Sequence, residues 1–149
     1  YVGLKLKVMA TIEEIQSEIV DEFSGFDDWM DKYSLLIELG NDMPPYPEEH
    51  RKPENIIDGC QSTVWIYASQ DKEGNVIYEA DSDAIIVKGI VALLVRTLNG
   101  HKPDEILATE LHFIDDIGLK ENLTPTRSNG LLAMIKQMKL YAMAFQTKQ

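Results

Sequence analysis

Residues 64–98, VWIYASQDKEGNVIYEADSDAIIVKGIVALLVRTL, decide the fold. VWIYASQ and VIYEAD are β-branched and aromatic runs that suit a pleated, half-buried surface, and DKEGN between them supplies a glycine-containing turn. The pair reads as an antiparallel hairpin. Ser82 then reads as the cap of a helix in which 11 of the 15 residues from Ala84 to Leu98 are apolar. A helix hydrophobic nearly all round is buried nearly all round, so this is the central core helix, ended by Gly100 and Pro103. Lys88 and Gly89 interrupt it; close packing against the sheet, or a snorkelling lysine, accounts for both. Trp65 reads as a sheet-core aromatic.

Working outward, Thr11 and Glu14 form a capping box ahead of Ile12, Ile15, Ile19 and Phe23, which recur at helical spacing as far as Ser24-Gly25. Asp27 can cap a second helix, with Trp29, Met30, Tyr33, Leu36 and Ile37 on one face up to Leu39-Gly40. Residues 41–55, NDMPPYPEEHRKPEN, hold four of the six prolines and read as an irregular surface connection. A short strand fits Ile56 to Asp58. PDEILA and ELHFIDDI give one or two short helices. Thr124 as N-cap and Pro125 as first helical residue place Arg127 in the first turn of a final helix, whose apolar face is Leu131, Met134, Ile135, Met138, Ala142 and Phe145. The sum is an α+β domain, a small antiparallel sheet with helices mainly on one face. Residues 1–149 read as one domain, with residues 1–8, before Met9, an extension or a cloning remnant.

Composition narrows the function. A chain of 149 residues that is 44% hydrophobic is long enough for one sizeable core. No apolar run approaches the roughly 18 residues of a membrane span, and the opening YVGLKLKV lacks a secretory apolar region, so a cytoplasmic protein without a membrane partner is expected. The 25 acidic residues against 14 basic ones, a net charge of -11, repel phosphate backbones and speak against nucleic acid. Such acidity serves solubility and suits docking on a basic protein patch. The lone cysteine, Cys60, has no internal disulfide partner, which fits a reducing compartment.

His50, His101 and His112 are isolated in sequence, and neither a zinc pattern nor a phosphate-binding glycine loop is present. Cys60 is therefore the one strong nucleophile. A free cysteine commonly behaves as a small buried hydrophobe. Here Gly59 permits a tight bend and Gln61 and Ser62 are polar, which reads as an accessible loop leading into a strand. Reactivity needs thiolate, so a nearby donor or cation has to lower the pKa, and Arg127 is the candidate. Asp83 reads as a charge favouring the start of the core helix.

Three blocks, GCQSTVW at 59–65, SDAIIVKGIVALL at 82–94 and LTPTRSNGL at 123–131, resemble in order and spacing the SufE-like sulfur-acceptor proteins of iron-sulfur cluster assembly. The resemblance implies an architecture shared with the IscU-type scaffold proteins, and a sulfur relay. A cysteine desulfurase carrying its own PLP would pass persulfide sulfur to Cys60, be stimulated in doing so, and the sulfur would continue to an iron-sulfur scaffold complex. No cofactor or metal of this chain's own is implied, and the oligomeric state expected is a monomer or weak homodimer. Arg127 matches the arginine of the family's TPSRS motif, with Thr126 as a departure. Gly59, Gln61, Ser62, Asp83 and Arg127 are the expected loop and partner-contact residues. One thiolate is too few to hold a cluster by cysteine alone, which favours carrier over scaffold. Alternatives stay open: an acceptor feeding another route such as tRNA thiolation, a one-cysteine peroxide-reactive protein, or a binding module in which Cys60 is merely buried.

Overall fold

The hairpin forms as its residue pattern requires. In the computed structural model, which describes residues 10–147, β1 (Val64–Gln70) pairs antiparallel with β2 (Val76–Ser82) in register from Val64 opposite Ser82 to Gln70 opposite Val76. Alternation puts Val64, Ile66 and Ala68 with Val76, Tyr78 and Ala80 on one buried face. The turn is closed by Asp71, whose carboxylate accepts from the backbone N–H groups of Glu73 and Asn75. The expected extension at residues 1–8 lies outside the described residues.

Six α-helices accompany the sheet among the described residues: α1 (Ile12–Ser24), α2 (Trp29–Asn41), α3 (Ile85–Leu98), α4 (Pro103–Ala108), α5 (Phe113–Asp116) and α6 (Pro125–Thr147). The Thr11 capping box forms with both of its hydrogen bonds. Asp28, not Asp27, caps α2 by accepting from the Met30 N–H, and this turns Met30 outward, where it is 68% exposed. Leu36 and Gly40 are the positions α2 buries. The core helix is α3, with Val87, Ile90, Val91, Leu93, Leu94 and Leu98 all buried between sheet and helices.

Ser82 does not cap α3. It is the last residue of β2, and its hydroxyl donates to the Thr63 carbonyl while accepting from the Ala84 N–H; the helix begins only at Ile85. Gly89 also differs from expectation. It faces α2 and not the sheet, because a Cβ there would meet the Leu36 carbonyl carbon at 2.6 Å, and one on Gly40 would meet the Gly89 nitrogen at 2.9 Å. Two glycines therefore let the α2 and α3 backbones touch. Lys88 reaches Asp81 at 3.3 Å, an ion pair where snorkelling was expected.

The proline-rich connection is more ordered than its composition suggests. It forms two short 3-10 turns, Glu48–His50 and Pro53–Asn55, and lies over the outer sheet face. His50 stacks on Tyr67 with ring centroids 3.7 Å apart, and Arg51 sits over the Trp65 ring at 4.8 Å while pairing with Asp81 at 2.5 Å. Trp65 thus covers the outer face instead of filling the core. The strand expected at Ile56 to Asp58 shrinks to a single bridge, Ile56 with Trp65. Finally α6 is fastened to the sheet by two tyrosines: Tyr78 donates to the Met138 carbonyl at 2.6 Å and Tyr141 to that of Ile66 at 3.1 Å.

Candidate functional site

The loop 58–63 is held at both ends. At its start the Ile57 N–H donates to the Val64 carbonyl at 2.9 Å, closing the chain on itself, and Ile57 is buried. At its end Thr63 is gripped by residues 82–83. Its N–H donates to the Asp83 carboxylate at 3.1 Å, and its carbonyl accepts from the Ser82 hydroxyl and the Asp83 N–H. Asp83 is thus an anchor for the cysteine loop, not a charge inside the first turn of α3. Between these clamps Gly59 adopts φ +91°, the left-handed region that glycine reaches without strain.

That bend lays Cys60 against α6. The helix starts as its residues dictate, with Pro125 at the first position and the Thr124 hydroxyl accepting from the Arg127 N–H at 3.2 Å. One turn further, Gly130 is buried against Cys60: a Cβ there would already touch Cys60 Sγ at 3.4 Å, so a longer side chain would take the thiol's place. The Sγ donates to the Gly130 carbonyl at 3.6 Å. A cavity of about 20 Å³ adjoins the thiol, enough for one water-sized group, with Val87 and Met134 behind and Arg127 and Thr126 opposite. Gln61 and Ser62 complete its rim.

The structure therefore brings together Cys60, Gln61, Ser62 and Arg127, while Gly59 and Asp83 shape the loop from outside the cavity. Val87, Gly130 and Met134 were not anticipated as site residues. Gly130 had a readable signal, a glycine inside a helix just after its cap; Val87 and Met134 look like ordinary core residues and gave none. Half-buried, Cys60 has its pKa pushed up by desolvation, contrary to the expectation that a cation would pull it down. Arg127 lines the cavity without hydrogen-bonding the sulfur.

Among the described residues no cluster of three or more histidine, cysteine or carboxylate side chains is arranged to hold a metal ion, and no helix is long and apolar enough to cross a membrane.

A two-stranded α+β domain with a lone thiol seated on its C-terminal helix is a fold with solved counterparts. The solution structure of a hypothetical protein from Thermus thermophilus superposes with a TM-score of 0.73 at 23% sequence identity, over 89% of this chain and 96% of that one. The sequence profile described as "SufE: Fe-S metabolism associated domain" matches residues 17–142, and the chain belongs to that family. Its place is in iron-sulfur metabolism.

Proposed function

We propose that this protein is a sulfur acceptor and carrier, with Cys60 as the atom-transferring residue. The observation that carries this reading is the seating of the only thiol of the chain, on a clamped loop, beside a cavity of about 20 Å³, room for one more atom of sulfur size. In the transfer step the Cys60 thiolate attacks the outer sulfur of a persulfide on a PLP-dependent cysteine desulfurase. The donor S–S bond breaks, the desulfurase cysteine leaves as its thiolate, and the new S–S bond leaves a persulfide on Cys60 with its proton on the outer sulfur. No electrons are gained or lost overall. A later attack by an acceptor thiol on an iron-sulfur scaffold complex repeats the exchange in the forward direction.

The resting geometry supports storage more than attack. Burial keeps the Cys60 thiol protonated, and Gly130, Met134 and Val87 shield it from reductants and oxidants. Acceptance therefore requires the loop to leave the Gly130 carbonyl, and the left-handed Gly59 is the pivot that allows it. A desulfurase that draws the loop into its own site gains an accessible acceptor thiol, which is the physical route to its stimulation. Arg127 stands where the displaced thiol uncovers it, placed to meet the partner. Lacking a second cysteine, the chain cannot discharge its own persulfide as an internal disulfide.

Intact mass after incubation with a cysteine desulfurase and free cysteine tests the reading. The expected gain is one sulfur, about 32 Da, on the native chain and none on Cys60→Ser. Absence of that gain with a competent desulfurase, or its persistence in Cys60→Ser, overturns it.

A further inference from the structure

A second feature of α6 lies on the side turned away from Cys60. Helix α6 carries Arg127, Lys136 and Lys139 and no carboxylate, in a chain whose net charge is -11. Among the described residues the ion pairs employ Arg51, Lys88, Arg96, His50 and His112, and Lys120, Lys136 and Lys139 take part in none of them.

These cations border apolar surface. Leu111 and Ile114 from the α5 side and Leu131, Leu132 and Ile135 from α6 line an open cavity of about 190 Å³, with Lys120 and Lys139 on its walls and Asp115 as its one carboxylate. Lys139 is held in place by donating to the Thr109 carbonyl at 2.8 Å. Beside the cavity a ridge of Leu132, Lys136, Leu140 and Met143 runs along the helix, its three apolar members 55%, 43% and 49% exposed. α6 is therefore apolar on its core face and carries a second apolar ridge on its outer face, interrupted by Lys136.

We infer that this groove receives an acidic amphipathic helical segment of another protein. An apolar side chain of that segment fills the cavity, and its carboxylates meet Lys120, Lys136 and Lys139, the arrangement of a helix laid in a groove. A second copy of this chain fits poorly. Two α6 ridges face to face set Lys136 against Lys136, and the acidic helix α1 has already turned Ile12, Ile15, Ile19 and Phe23 into its own core. The groove and the Cys60 cavity sit on opposite flanks of the first turns of α6, so a partner can be held here while the thiol loop is free to move.

The test is selection from a phage-displayed library of random peptides on the full chain, followed by titration of the strongest peptide into isotope-labelled protein. The expected peptides combine Asp or Glu with apolar residues at helical spacing, and their amide shifts map to residues 111–115 and 128–139. Exchanging Lys120→Glu and Lys136→Glu together weakens binding by about tenfold or more, whereas Cys60→Ser binds unchanged, which keeps this inference separate from the sulfur-transfer reading. Selection of no peptide, selection without acidic enrichment, shifts elsewhere or indifference to the lysine exchange overturns it. So does a dimer in sedimentation that the same exchange dissolves, which assigns the groove to a second copy.

Discussion

The Cys60 thiol donates to the main-chain carbonyl of Gly130 at 3.6 Å, with a glycine as the helix residue that allows so close a seat. The burial that results pushes the thiol pKa up. The native chain should therefore react with iodoacetamide with an inflection above the roughly 8.5 of a free cysteine. Gly130→Leu fills the seat and expels the thiol. We expect that variant to be modified several-fold faster at neutral pH, with its inflection moved down toward about 8.5. An unchanged rate and inflection would mean that the seat does not control the thiol.

Asp83 holds the far end of the same loop through the Thr63 N–H. Asp83→Ala leaves that donor without its partner, and should lower stability by about 1 kcal/mol and speed modification of Cys60. Asp83→Asn keeps a carbonyl oxygen at the same position and should restore both. Thiol-labelling rates beside urea unfolding of the two variants measure this, and equal behaviour of Ala and Asn would count against the anchor.

Gly89 and Leu36 fix the crossing of α2 on α3. Alanine is the better helix former by about 1 kcal/mol, yet a methyl on Gly89 runs into the Leu36 backbone, which cannot swing aside as a side chain can. Overpacking should win, and Gly89→Ala should be destabilised by about 2 kcal/mol. The urea midpoint, at unchanged slope, reads this directly.

His112 ties α5 to α1 by contacts to Asp116 at 2.6 Å and to Glu13. Its pKa is raised, first by Asp116 and then by Glu13. Since the folded value lies above the unfolded one of about 6.5, the extra stability is fully present below about 6.5 and is lost as pH rises through the folded value. Solvent screening at this exposed site limits it to a few tenths of a kcal/mol. His112→Gln should therefore lower the stability only on the acid side, and a deficit that persists in alkaline solution would point to packing instead.

Much of this was legible in the residues. The alternation of VWIYASQ and VIYEAD, the apolar run after Ala84, the Thr11 capping box and the Thr124-Pro125 start of α6 each specify a local conformation through contacts a few residues apart, so the sequence by itself determined the hairpin, the core helix and the starts of the first and last helices. It also determined that a single thiol stands next to a glycine in a polar loop. What it could not determine were the partners of side chains distant along the chain. Ser82 could cap a helix or close a strand, and the Thr63 carbonyl decided. Gly89 could face sheet or helix, and Leu36 decided. Whether Cys60 rests exposed and activated or half-buried and protonated depended on Gly130, seventy residues away. Those choices belong to the tertiary structure because burial and hydrogen bonding between distant segments exist only once the helices have packed, and there the energy of a close fit outweighs local preference.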